Sequence, residues 1–225
     1  MKTLSKAVAI ASLVSASALS AQTAFAEVEV SASAAVSNMY LWRGLDLGKL
    51  ENSDQGGVPA ISGDLSVSTN GAYAGVWASS GDANLGTEYD LYVGYGMEAG
   101  DVSVDLMLAS YIYPSNDAGS DTMFDGSEAI LSLGFMDASF SLYETITSNP
   151  SDNRYITLGY GIDAVSATLG MQMSDDDTAE YTHVDVSYAY NDNLSFTYSQ
   201  IVDEGVEGSF NTNGLVVATY SMSIQ

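Results

Sequence analysis

From Glu27 onward the chain alternates with a period of two, and that constrains it more than any other feature. In Thr182–Tyr190, Thr182, Val184, Val186, Tyr188 and Tyr190 share one face, while Tyr181, His183, Asp185, Ser187 and Ala189 share the other. Val165, Ala167, Leu169, Met171 and Met173 alternate with Ser166, Thr168, Gly170 and Gln172. Val216, Ala218, Tyr220, Met222 and Ile224 alternate in the same way with polar neighbours. Successive side chains of a strand point to opposite faces, so each segment reads as a strand with one apolar and one polar face.

Twelve such segments are predicted, at 28–43, 58–69, 71–79, 87–98, 101–113, 125–135, 137–146, 154–162, 164–173, 180–190, 193–203 and 213–224. Most are about 9–12 residues, as a tilted strand crossing a bilayer requires, and longer than the roughly 5–6 residues usual in soluble sheets. Their connections sort by length. Tight turns such as Thr69-Asn70-Gly71, Met136-Asp137 and Asn191-Asp192-Asn193 take turns with longer stretches such as Gly44–Gly57, Pro114–Phe124 and Glu204–Asn213. In an antiparallel meander every second connection lies on the same side. Short turns on one side and long loops on the other mark a transmembrane barrel, whereas a Greek-key sandwich has no reason to sort them. The predicted fold is all-β: a closed, antiparallel, up-and-down transmembrane barrel of about twelve strands.

Charge narrows the function. The chain holds five Lys and Arg against 29 Asp and Glu, a formal net charge of −24, which argues against binding nucleic acid. It has no Cys and one His, so disulfides, thiol chemistry and Cys- or His-paired metal sites are not expected. Yet 46% of its residues are hydrophobic, too many for a disordered acidic chain. Lipid accounts for both facts: apolar faces turn outward, polar faces turn to the lumen, and closure leaves no strand edge unpaired in the bilayer.

Residues 1–26 read as a cleaved secretory signal, with Lys2 and Lys6 at the start, an apolar Ala7–Ala21 stretch and Ala24-Phe25-Ala26 at the cleavage site. The barrel domain is then 27–225, placed in the outer membrane of a Gram-negative cell. Parity assigns Asp64, Glu88, Asp90, Asp101, Asp105, Glu128, His183 and Asp185 to the lumen, joined by Arg43 near its outer rim. Such acids either form cation-favouring rings or solvate a filled lumen. Tyr40, Trp42, Tyr73, Trp77, Tyr95, Tyr160, Tyr188 and Tyr190 are assigned to aromatic girdles at the two interfaces. Acids between the strands, among them Asp46, Asp82, Asp152, Asp175-Asp176-Asp177, Glu204 and Glu207, are read as solvated outer loops. The aspartate run lacks the spacing of a calcium-binding loop.

His183 and Asp185 superficially suggest part of a catalytic triad, but side chains two apart on a strand are expected to diverge. Phosphate-loop, dinucleotide and G-x-S-x-G motifs are missing from the sequence. No catalytic residue, metal or cofactor is expected, and the chain is not expected to be an enzyme.

Four stretches carry a family resemblance. Ser37-Asn38-Met39-Tyr40-Leu41-Trp42-Arg43-Gly44 resembles the opening signature of the TorF family of proteobacterial porins. Tyr73-Ala74-Gly75-Val76-Trp77-Ala78-Ser79 and Glu88-Tyr89-Asp90-Leu91-Tyr92-Val93-Gly94-Tyr95 resemble its next two motifs, and Tyr111-Ile112-Tyr113-Pro114 its aromatic–proline step. The match they mark runs from about Val36 to Pro114, about a third of the chain. The resemblance implies an outer-membrane barrel with a porin role and no catalytic residues. Two departures stand out: the chain ends in Ile224-Gln225 rather than in an aromatic residue, and its mature part keeps few basic residues, which implies a more cation-preferring pore. The expected function is a channel for small hydrophilic solutes or cations, monomeric or self-associating. The first alternative is a non-conducting surface scaffold whose acidic loops bridge divalent cations on lipopolysaccharide or hold a partner. The second is a soluble secreted barrel binding a ligand inside.

Overall fold

A computed structural model describes residues 28–49, 57–115 and 122–224. The export signal read over 1–26 lies outside the described residues. Fourteen strands follow in order. Twelve form one closed antiparallel barrel: β1 (Glu29–Ser37), β4 (Ala60–Thr69), β5 (Ala72–Asp82), β6 (Gly86–Ala99), β7 (Val102–Ile112), β8 (Gly126–Phe135), β9 (Ala138–Thr145), β10 (Arg154–Ile162), β11 (Val165–Met173), β12 (Tyr181–Ala189), β13 (Leu194–Glu204) and β14 (Leu215–Ile224). Neighbours in sequence are neighbours in the sheet, and β1 closes the ring by pairing with both β4 and β14. The remaining two, β2 (Leu41–Trp42) and β3 (Leu45–Asp46), form a hairpin of their own.

One end of the barrel has tight turns, built from residues that tolerate positive φ. Asn70 (φ 50°) and Gly71 (φ 85°) join β4 to β5, and positive φ at both central residues matches the twist of a two-residue hairpin. The described loops at the other end are longer, except that β5 and β6 extend to Asp82 and Gly86 and leave only three residues between them.

The alternation resolves as an inside-out barrel. On β6, Glu88, Asp90 and Tyr92 are buried inside, while Leu91 and Val93 face out, Val93 being 54% exposed. Val165 and Met173 on β11, and Val216, Met222 and Ile224 on β14, are likewise exposed. A continuous apolar exterior on a sheet with no open edge is compatible with an outer-membrane barrel.

The structure differs from the sequence reading at the first segment. The predicted 28–43 strand stops at Ser37. The Asn38 side chain ends it by clamping β14: Nδ2 donates to Val216 O at 3.1 Å, and Oδ1 accepts from Ala218 N at 2.7 Å. The chain then enters the hairpin, whose turn is Arg43 (φ 48°) and Gly44 (φ 83°).

Candidate functional site

The β2–β3 hairpin folds into the end of the lumen below the long loops. Its base is tied at several points. The Asp46 carboxylate accepts from Gly48 N at 3.0 Å and Gly57 N at 3.1 Å, and Ala83 N donates to Leu47 O at 2.9 Å. Asp46 is therefore a hairpin cap rather than a solvated loop acid. Asp82, also read as a loop acid, is buried and accepts from Asn84 N and Leu85 N. A carboxylate that caps backbone N–H groups is stabilised where it would otherwise be desolvated.

Arg43 anchors the tip. Its Nη2 lies 2.6 Å from Glu128 Oε2, with side-chain exposures of 8% and 10%. The guanidinium carbon lies 4.4 Å from the Trp42 ring centre, 4.7 Å from Tyr143 and 4.4 Å from Tyr155. Glu128 also accepts from Tyr111 Oη at 2.7 Å. A weakly hydrated planar cation enclosed by aromatic faces and paired to a carboxylate is the form of charge that burial tolerates best. A positive φ is uncommon for a non-glycine residue, and these contacts hold Arg43 there.

Beside this pair, Tyr40 Oη donates to Glu88, and Tyr113 donates a second hydroxyl to the same carboxylate. Asp90, two residues along β6, is fully buried. Deeper in the lumen Tyr92 donates to Asp64 at 2.6 Å and Tyr73 to Asp105 at 2.8 Å, their rings 6.1 Å apart. Met107, Ala109, Ile130, Tyr143 and Tyr155 complete a packed band with Tyr92. Hydroxyl pairs line other parts of the wall: Ser37 with Thr219, Ser132 with Ser141, and Ser187 with Thr197.

His183 and Asp185 do not diverge. His183 Nδ1 stands 3.1 Å from Asp185 Oδ1, and its Nε2 stands 2.7 Å from Tyr155 Oη. With Nδ1–H donating to the carboxylate, Nε2 is left to accept the tyrosine hydroxyl. The imidazole is 1% exposed, and it supports the hairpin tip: a Cβ on Gly44 would come within 2.6 Å of its ring. Gly44→Ala should therefore cost about 1–3 kcal/mol, from an L-residue held at left-handed φ and the displacement of a buried ring. Urea unfolding of the refolded variant measures this. An unchanged midpoint would mean that the hairpin tip moves freely.

The predicted residues fall into four groups. Asp64, Glu88, Asp90, Asp105, Glu128, His183 and Asp185 all lie on the inward face, and Arg43 reaches the lumen from the hairpin instead of from the first strand. Asp101 does not: it sits exposed in the turn between β6 and β7. Tyr95, Tyr160, Tyr188 and Tyr190 are exposed near the tight-turn end. Tyr40, Trp42, Tyr73 and Trp77 are not girdle residues. Tyr73 and Trp77 share the inward face with Asp64 and Asp90 through the pairs Asp64↔Trp77 and Trp77↔Asp90, while Tyr40 and Trp42 belong to the hairpin. The sequence reading missed Tyr92, Tyr111, Tyr113, Tyr143 and Tyr155 as lumen fillers. Their signal was parity: Tyr92, Tyr111, Tyr113 and Tyr143 lie on the acid-bearing face of their strand or opposite that of the next, and Tyr155 continues this face opposite Tyr143.

The arrangement can hold positive charge. Among the described residues, no group of three or more His, Asp or Glu could hold a metal ion.

No curated protein matches the chain. A family described as bacterial protein of unknown function (Gcw_chp) matches residues 21–216. That match spans most of the sequence and almost the whole barrel, so the chain belongs to the Gcw_chp family of bacterial proteins of unknown function.

Proposed function

We propose that this protein is an outer-membrane channel, not an enzyme, that admits small hydrophilic solutes and favours cations at a constriction formed by the β2–β3 hairpin. It is exported by the signal over 1–26, cleaved, and inserted among outer-membrane lipid and lipopolysaccharide as a monomer or homo-oligomer. The observation that carries this reading is the division of the closed barrel into an apolar exterior and an interior holding Asp64, Glu88, Asp90, Asp105, Glu128 and Asp185. Carboxylates in a confined lumen favour cations by their field. The resemblance to TorF-family porins supports the same reading, because its motifs fall on the hairpin and on β5 and β6.

A second reading has its own support. The hairpin, Tyr143 and Tyr155 fill much of the lumen at the Arg43 level, which suits a non-conducting barrel that acts as a surface scaffold through acidic loops carrying Asp175, Asp176, Asp177 and Glu207. Purified protein in a planar bilayer separates the two. The channel reading expects discrete current steps and, across a salt gradient, a reversal potential of cation-selective sign. Silence at all voltages refutes it, and a calcium-dependent rise in thermal stability of the silent protein would favour the scaffold.

A further inference from the structure

The hairpin level of the lumen holds three carboxyl groups, Glu88, Asp90 and Glu128, against one arginine. Arg43 is committed to Glu128. Glu88 is 2% exposed, receives hydroxyls from Tyr40 and Tyr113, and has the Asp90 carboxyl beside it. Asp90 is 0% exposed, and neither of its carboxylate oxygens has any donor. Two buried carboxyl groups side by side cannot both ionise without a positive charge near them.

Space for such a charge exists next to the pair. A cavity of about 240 Å³ opens between the hairpin and the barrel wall, lined by Trp42, Glu88, Tyr111, Tyr113, Ser127 and Glu128 among others. Its walls suit one chemistry. Two carboxylates can accept from an ammonium head, and three aromatic side chains offer apolar and π surface to the carbon chain behind it. A bare metal ion would leave most of that volume and all of that aromatic surface unused.

We infer that this cavity binds a small organic ammonium ion, its –NH3⁺ directed at Glu88 and Glu128 and its alkyl part against Trp42, Tyr111 and Tyr113. Asp90 is not among the residues lining the cavity and acts through Glu88, not by contact. The inference names the class of cation for the channel proposed above and rests on that reading only for the route by which the ligand enters.

The test uses the full chain refolded in detergent, with heat-dependent gel mobility as proof of folding. The chain has two Trp, so Trp77→Phe leaves Trp42 as the sole tryptophan reporter in the cavity wall. Titration with n-butylammonium chloride should give a saturable change in Trp42 fluorescence. Neither n-butanol nor sodium chloride at matched ionic strength should reproduce it. Glu88→Gln should weaken the apparent affinity at least tenfold. Asp90→Asn, which changes the partner of Glu88 without touching the cavity lining, should weaken it several-fold. A folded protein with no saturable response overturns the inference. So does equal affinity in Glu88→Gln, or an equal response to sodium. Saturable binding by a barrel that never conducts would refute the channel and keep the site; conduction without binding would do the reverse.

Discussion

Arg43→Ala protein in a planar bilayer should pass larger current steps than the natural protein and should unfold at a lower urea concentration. Both effects follow from one contact. The Arg43–Glu128 pair is 2.6 Å long, with side-chain exposures of 8% and 10%. Removing one partner of such a pair leaves an uncompensated buried charge, at a cost of about 3–5 kcal/mol. The guanidinium also leaves the faces of Trp42, Tyr143 and Tyr155, each contact worth about 0.5–2 kcal/mol and partly included in that figure. The hairpin base, held by Asp46 and by the Ala83–Leu47 bond, stays tied. The tip is then free to leave the lumen while the barrel stays closed. Arg43→Ala combined with Glu128→Gln should recover part of the stability, because no bare charge remains, yet keep the larger steps, because nothing holds the tip. Coupled pairs deviate from additivity by such amounts. A single variant with unchanged conductance and unchanged unfolding would show that the pair does not hold the hairpin.

The barrel was largely legible in the sequence, and the hairpin was not. β10 (Arg154–Ile162) is found where the alternation places it, and β11 (Val165–Met173) begins one residue later than predicted and ends where predicted. Beyond Arg154 at the end of β10 their outward residues are apolar, and their inward ones are mostly Ser, Thr or Gly, so one face alone can meet lipid. The same argument misplaced Tyr73 and Trp77. β5 alternates these aromatics and Gly75 with Ala74, Val76 and Ala78. Both faces are then compatible with hydrocarbon, and composition cannot choose between them. Only the pairing of Trp77 with Asp64 and Asp90 decides. An aromatic ring carrying a hydroxyl suits a bilayer interface, and it equally suits a lumen where a carboxylate awaits a donor, as with Tyr73 on Asp105 and Tyr92 on Asp64. The first predicted strand was overextended for a related reason. Leu41, Trp42 and Leu45 continue an apolar pattern, but the Arg43-Gly44 turn reverses the chain two residues into it. An Arg-Gly step is a weak turn signal compared with Asn-Gly, since arginine gains nothing locally from positive φ. Its reason for being there is long-range, at Glu128, and distant contacts leave no periodic trace. The same holds for Asp185 and His183, whose rotamers converge because Tyr155 lies across the barrel wall to receive the imidazole.

Val93→Arg should cost about 2–4 kcal/mol when the protein is refolded into lipid vesicles, the cost of an arginine on the lipid face at mid-bilayer. Ser66→Arg should cost less than about 1 kcal/mol, since a lumen position keeps its charge among polar groups. The two sites test opposite faces at similar depth. Val93 lies midway along β6, 54% exposed, between Ala74 on β5 and Leu108 on β7, so every neighbour it offers an arginine is apolar. Ser66 lies on the inward face of β4, opposite Ser31 and Gly75 and hydrogen-bonded to Asp64. A guanidinium there meets a carboxylate held by only one phenol, Tyr92. The added positive charge should also reduce the cation preference of the current steps, whereas Val93→Arg, where it folds, should leave selectivity alone. Urea titration of the two variants in vesicles, alongside the natural protein, gives the comparison directly. Equal costs would mean that β6 and β4 do not divide hydrocarbon from water. A neutral Val93→Arg with a costly Ser66→Arg would mean that the exposed valine faces water and that the barrel encloses a dry interior, which would remove the membrane from the account of this protein.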